Sequence, residues 1–327
     1  DVAQGQIRIP DGVGIAGHVA KTRQTLNVPD AYSDPRFNRQ FDKDTGFRTR
    51  SILCAPVVNV SGDLVGVIQI LNKVGADGFT ADDEALLAAF ASIAGIALDR
   101  ARLVEAFLEK EKIESSLKLA HDIQMGMLPR EFPACPGLDL FADLRPAKSV
   151  GGDLYDFRLG GGRLWFAVGD VSGKGVPAAL FMAVTKVLFG VAVEVESGPA
   201  GVLARMNRAL CRQNEHALFV SAFVGRLDLA TGELAYANAG HNLPYRLRSN
   251  GAVSALPASP GLVLALAEEF EFRAESVRLD PGDMVFLYTD GVTEAIDAGN
   301  VLFSDRRLEE FLATSGGRPA SELVEGA

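Results

Sequence analysis

Residues 164–168, Leu164-Trp165-Phe166-Ala167-Val168, form a short, continuously apolar run closed by glycine, which predicts a strand buried on both faces. It is followed by Gly169-Asp170-Val171-Ser172-Gly173-Lys174-Gly175 and preceded by Gly151-Gly152-Asp153-Leu154-Tyr155-Asp156. Asp170 is therefore expected at the end of a core strand, where a carboxylate leaves the core and faces a cleft. The glycines after it let the chain turn sharply with its carbonyls bare. A third acid has the same setting in Met284-Val285-Phe286-Leu287-Tyr288-Thr289-Asp290-Gly291. Three carboxylates at strand ends, with no Cys or His cluster nearby, make an all-oxygen site suited to magnesium or manganese rather than zinc. A single Asp-Gly pair after a strand is equally a turn signal, so the weight lies on their joint occurrence.

The chain has 327 residues, 48% of them hydrophobic, enough for about two packed domains. Its formal net charge of −10 disfavours a general nucleic-acid binder, which needs basic patches to neutralise phosphate. Cys54, Cys135 and Cys211 are far apart and in no Cys-x-x-Cys pattern, so neither a disulfide framework nor a zinc site is expected, and the reading is a reducing cytoplasm. The longest apolar stretch, residues 178–195, is interrupted by Thr185, Lys186 and Gly190 and is expected as a buried helix rather than a membrane span. The sequence opens at Asp1 in the middle of a pattern, which reads as a fragment.

Residues 53–60 and 64–71 read as strands joined by the turn Ser61-Gly62-Asp63, a hairpin. Thr80 with Asp83 and Glu84 then opens a long helical pattern, apolar at Leu86, Phe90, Ile93, Ala97, Val104 and Phe107. The pattern breaks at Glu109-Lys110-Glu111-Lys112 and resumes with Ile113, Leu117, Ala120 and Met127. Pro129, Pro133 and Pro136 end it and start a second domain. There, residues 138–144, 163–168, 219–227, 233–238, 245–248, 270–278 and 284–289 read as strands, and 177–195, 201–213 and 305–314 as helices. Short turns between neighbouring strands predict antiparallel sheets, hence an α+β fold.

Val150-Gly151-Gly152-Asp153-Leu154-Tyr155-Asp156, Gly169-Asp170-Val171-Ser172-Gly173-Lys174-Gly175, Asn238-Ala239-Gly240-His241-Asn242 and Tyr288-Thr289-Asp290-Gly291 occur in that order. Together they resemble the metal-dependent PPM-type serine/threonine phosphatases in their bacterial SpoIIE/RsbU-like branch. The resemblance implies a β-sandwich flanked by helices and two divalent ions, Mn2+ or Mg2+. It makes Asp170 the bridging ligand, Val171 a ligand through its carbonyl, and Asp153 and Asp290 the remaining acids, all three Asp being catalytic. Asp156 is implied as orienting the attacking water and His241 as a supporting residue, a proton donor or a brace. The family carries a further ligand in an Asp-Asp-x-Thr segment near its C-terminus; no Asp-Asp follows Asp305 here, so the fragment is expected to hold one ion weakly and to be weakly active or inactive.

The first part, through Gly12-Val13-Gly14-Ile15-Ala16-Gly17, Val28-Pro29-Asp30, Asp34-Pro35-Arg36-Phe37, Arg50-Ser51-Ile52-Leu53 and Gly66-Val67-Ile68-Gln69, resembles the second half of a GAF domain, a sheet flanked by helices with a small-molecule pocket. Asn72-Lys73, Phe79 and Asp83-Glu84 match a pattern seen in cyclic-nucleotide-binding GAF domains, although a salt-bridged helix cap has the same composition. The expected layout is a GAF sensor lacking its N-terminal part over residues 1–103, a helical linker over 104–128 and the phosphatase domain over 129–327. The resemblance implies a phosphoserine/phosphothreonine protein phosphatase acting on a phosphorylated STAS-type anti-anti-sigma factor, sensing an unknown small molecule, with a cyclic nucleotide among the candidates. A homodimer through the linker, no nucleic acid and no membrane complete the expected set. The alternative is a non-catalytic GAF/pseudo-phosphatase scaffold.

Overall fold

The computed structural model describes residues 12–75, 78–212, 214–258 and 261–327; the first residues of the expected sensor domain and Gln213, expected to end a helix, lie outside them. Two compact units are present, Asp1–Glu114 and Ser115–Ala327.

In the first unit, α1 (Gly14–Thr22) precedes β1 (Leu26–Val28), α2 (Gln40–Thr45), β2 (Ile52–Val58), β3 (Leu64–Leu71) and the start of α3 (Ala81–Met127). The antiparallel sheet has the order β1-β2-β3, with Leu53 opposite Ile70 in the expected hairpin. Alternation along β2 explains why it is buried on both sides: Ile52 and Cys54 pack with Ile15 and Val19 of α1, while Leu53, Ala55 and Val57 pack with Leu87 and Ala91 of α3. Burial pushes the Cys54 thiol up to about 12, so it is an inert core residue. A Cβ on Gly95 would stand 2.0 Å from the Val58 carbonyl oxygen, so α3 crosses β2 at a distance only glycine permits.

Asn72, Lys73, Phe79, Asp83 and Glu84 form a latch between the sheet and the first turn of α3. Lys73 pairs with Asp83, whose carboxylate also accepts from Thr80 N–H and hydroxyl. Asn27 Nδ2 donates to both the Phe79 carbonyl and Glu84. Asn72 adopts φ 54° and its amide oxygen accepts from the N–H of Arg50 and Ser51. Lys73, Thr80 and Asp83 pair with one another in the manner of a salt-bridged helix cap, whereas Asn72 bonds the chain at Arg48–Ser51.

The second unit holds the C-terminal part of α3, then β4 (Leu154–Gly160), β5 (Arg163–Val171), α4 (Val176–Val195), α5 (Pro199–Cys211), β6 (Val220–Asp228), β7 (Glu233–Ala239), β8 (Tyr245–Leu247), β9 (Val253–Ala255), β10 (Glu275–Arg278), β11 (Met284–Phe286), α6 (Asp290–Thr293), α7 (Ser304–Ala313) and α8 (Ala320–Gly326). A five-stranded antiparallel sheet runs β10-β7-β6-β5-β4 and a three-stranded one runs β11-β8-β9. Period-two alternation sorts β6 between layers: Ala222 and Val224 face Met182, Phe189 and Leu203 of α4 and α5, whereas Phe223 packs with Leu234, Tyr236 and, from β11, Val285. Tyr245, Leu247 and Phe286 of the smaller sheet pack on Leu308, Leu312 and Leu323 of α7 and α8. The result is the expected α+β sandwich with helices on both outer faces.

Three expectations are corrected. Residues 138–144 form no strand beyond an isolated Cys135–Leu138 bridge, and of 270–278 only Glu275–Arg278 pairs, opposite Glu233–Tyr236 of β7. The helix α4 is not buried all round: Ala178, Met182, Thr185, Phe189 and Ala192 face the core, but Leu180 and Val187 are 65% and 58% exposed. By length and composition α4 could cross a bilayer, yet its inner face packs as a domain helix does.

Candidate metal centre

Asp170 is the last residue but one of β5, paired in register with Ser221 of β6. The strand thus continues past the glycine expected to close it. Asp153 immediately precedes β4, the neighbour of β5, and Asp290 opens α6 after β11 of the other sheet. Both sheets therefore deliver acids to one end of the sandwich.

The Asp153 and Asp170 carboxyls are close enough to interact with each other, and Asp290 acts on Asp170 electrostatically. Burial first, then the Asp153 contact and the charges of Asp153 and Asp290, push the Asp170 carboxyl up to about 7; Lys174 in the following turn pulls it back in part. Thr289 occupies the cap position of α6 but spends its hydroxyl elsewhere, donating to Asp153 Oδ2 at 3.0 Å. That bond joins the two sheets across the acidic cluster. Gly152 packs on the end of β5: a Cβ there would lie 2.6 Å from the Val171 carbonyl oxygen, so any other residue would push the Asp153 loop off that carbonyl.

Among the described residues no group of three or more His, Cys, Asp and Glu side chains is drawn together tightly enough to encage an ion unaided. The donor chemistry nevertheless fits a hard ion. Two interacting carboxylates, a third in electrostatic range and an adjoining backbone carbonyl are all oxygen donors, and like-charged acids crowded together gain from a cation between them. Magnesium in particular keeps several waters and needs only one or two carboxylates.

The remaining expected residues go elsewhere. Asp156 lies on the opposite face of β4 from Asp153 and Tyr155; its side chain is fully buried beneath α4, where it accepts from Lys186 Nζ at 3.0 Å and Arg158 Nη1 at 3.1 Å. Its carboxylate is thus paired with two cations, Lys186 and Arg158, on the face of β4 away from Asp153. His241 is buried, with Nδ1 2.8 Å from Ser221 Oγ and its backbone N–H donating to Asn238. Nε2 lies beside the Tyr288 backbone and Asp290 without a completed hydrogen bond. Burial pushes its pKa down to about 4, which leaves it neutral near pH 7 and favours a brace over a proton donor. Sequence reading missed Thr289 and Ser221. A hydroxyl directly before the Asp of a strand end was the available signal for the first; the second is visible only from the β5–β6 register.

The family model of Stage II sporulation protein E (SpoIIE) matches residues 160–327, and that of the GAF domain matches residues 1–98. The chain is 30% identical over 219 residues to "Phosphoserine phosphatase RsbU" of Bacillus subtilis, covering 66% of this chain and 64% of that protein. It is 41% identical over 121 residues to "Dual 3',5'-cyclic-AMP and -GMP phosphodiesterase 11" of Drosophila melanogaster, covering 37% of this chain and 8% of that protein. It thus spans less than two thirds of either relative. The solved SiaA-PP2C domain of Pseudomonas aeruginosa superposes with a TM-score of 0.58 at 27% identity, over 67% of this chain and 88% of that one. The SpoIIE match extends over just over half of the sequence, and the chain belongs to the SpoIIE family, with a GAF domain joined to a PPM-type phosphatase domain.

Proposed function

We propose that this member of the SpoIIE family is a metal-dependent phosphoserine/phosphothreonine protein phosphatase under the control of its GAF domain. The observation that carries the reading is the convergence of Asp153, Asp170 and Asp290 from two sheets onto one another. Bound there, a pair of hard divalent ions, Mn2+ or Mg2+, would supply an activated water and neutralise the phosphoryl oxygens. Asp170, Asp153, Asp290 and the Val171 carbonyl are the groups that would hold them. Thr289 keeps Asp153 in place by its hydroxyl, and Lys174 offers a cation to the phosphate from the Gly173–Gly175 turn. His241, neutral and anchored on Ser221, steadies the Asp290 end. The similarity to a phosphoserine phosphatase named RsbU supports a phosphorylated signalling protein as substrate, a STAS-type anti-anti-sigma factor being the class we favour. Similarity to a cyclic-nucleotide phosphodiesterase supports a small ligand on the GAF domain, cyclic nucleotides first.

In this layout residues 1–103 sense, 104–128 connect and 129–327 catalyse. The exposed apolar residues of α3, among them Ile93 and Val104 at 64% and 50% exposure, support a homodimer through the linker. Ile93→Glu with Val104→Glu should convert a sedimenting dimer to monomer; a monomeric unmodified protein would refute the dimer. The catalytic reading is tested by release of phosphate from a phosphoserine protein with added manganese and its loss with chelator. Manganese binding without any turnover would favour the non-catalytic scaffold.

A further inference from the structure

Residues 149–153 carry Asp153 into the acidic cluster, yet they belong to no helix or strand, so their position has to be fixed by side chains. Gln124, in the last turn of α3, supplies that fixing. Its Nε2 donates to the Gly151 carbonyl at 2.7 Å, and its Oε1 accepts from the Gly151 N–H at 3.1 Å. One primary amide thereby satisfies both polar groups of a single residue, as a neighbouring strand would. His121, three residues earlier on the same helix face, donates from Nδ1 to the Ser149 carbonyl at 2.7 Å. Just beyond the helix, the Pro129 carbonyl accepts from the Tyr155 hydroxyl at 2.9 Å.

Gln124 is 5% exposed, and a primary amide is costly to bury unless both its ends are bonded. A position needed only for packing would be better filled by an apolar side chain. Both ends are bonded here, and to the residue two before Asp153. Gly152, the residue between, is the one closed against the Val171 carbonyl. One group assigned to the metal, Asp153, thus depends on the loop that Gln124 holds, and that loop packs on a second, the Val171 carbonyl.

We propose that the last turn of α3 positions the metal site: the Gln124 amide sets the Gly151 peptide, and displacement of this helix end weakens the grip on divalent ions. This rests on the metal-dependent reading above. Groups behind a ligand typically change metal affinity by about 10- to 100-fold when removed. The N-terminal part of the same helix packs Leu87, Ala91 and Gly95 against β2. Gln124 is a positioning residue, touching neither ion nor substrate.

The test is manganese titration of the metal-free full chain by calorimetry, alongside the manganese dependence of phosphoprotein hydrolysis. Gln124→Met keeps volume and helix propensity and removes both hydrogen bonds. It should weaken manganese binding about tenfold and raise the manganese needed for half-maximal rate equally, while kcat at saturating manganese stays near wild type. His121→Ala should shift both readouts the same way by a smaller factor, and it decides the matter should the Met variant not fold. Unchanged manganese affinity in a folded Gln124→Met protein, or in His121→Ala if that stands alone, would overturn the proposal, even with a lowered melting temperature. A wild-type chain that binds no manganese would instead remove the metal reading, and this inference with it.

Discussion

Asp153 and Asp156 stand three residues apart in one segment, and their surroundings are opposite in kind. Asp153 meets Asp170 at the end of the five-stranded sheet, among like charges, with Thr289 from the other sheet's side as its neutral partner. Asp156 is fully buried under α4 between Lys186 and Arg158. An odd offset at a strand start puts the two on opposite faces, and each face has its own chemistry. The acidic end of the sandwich retains unneutralised charge that a cation can relieve. The helix-facing side has its charge already matched by Lys186 and Arg158.

The largest effect should follow from Asp170→Ala. Removing this ligand forfeits several kcal/mol of transition-state charge stabilisation, a loss on the order of a thousandfold or more in phosphate release. The variant should still melt cooperatively. Near wild-type turnover would break the assignment of this end of the sandwich.

Next in size is Asp156→Ala, which strands Lys186 in a site where its side chain is only 11% exposed. Breaking a buried pair in this way costs about 3–5 kcal/mol, readable by urea unfolding. Turnover per folded molecule should persist. A stable but inactive Asp156→Ala protein would erase the contrast and return Asp156 to the catalytic rim.

A smaller effect has the opposite sign. The Asp170 carboxyl is raised well above the value it has in an unfolded chain, so the native state binds more protons than the unfolded one between about pH 4 and 7. Stability of the metal-free protein should therefore be fully present at the acid end and decline as pH rises through that window. Asp170→Asn removes the contribution. In chelator at pH 8 it should be more stable than wild type by about 1 kcal/mol, the screened worth of a partly solvated charge, with little difference at pH 4. Melts showing wild type the more stable at pH 8 would contradict the like-charge description.

Thr289→Val should have the smallest effect, about 1 kcal/mol for one lost hydrogen bond to a carboxylate that keeps access to other partners. It is expected to weaken manganese binding several-fold without altering the fold. No change in manganese affinity would mean that the bond between the sheets does not hold Asp153.

Local signals were strong enough to read the hairpin of β2 and β3, the helices α3, α5 and α7, and the acid at the end of β5; the strand expected over 284–289 stops at Phe286, and Asp290 opens α6 instead. Glycine after an apolar run, capping residues before a helical period and turn residues between strands all act over a few residues. β4 was not recognised as a strand because Tyr155, Asp156 and Arg158 break its apolar run; it is a strand because β5 pairs with it from Gly169 to Arg163. The span 138–144 has a comparable pattern and no ladder to join, so it is not one.

The sequence by itself determined the all-oxygen donors of the candidate site, because the acids and the absence of nearby Cys and His clusters follow from composition and spacing within each motif. Only the tertiary structure decided which of two nearby aspartates faces the cluster, that Thr289 reaches across to Asp153, and that Gln124 grips Gly151 from 27 residues away. Hydrogen bonds and ion pairs depend on distance and angle within a few tenths of an ångström, and partners that far apart in the chain acquire that geometry only when the layers between them have packed.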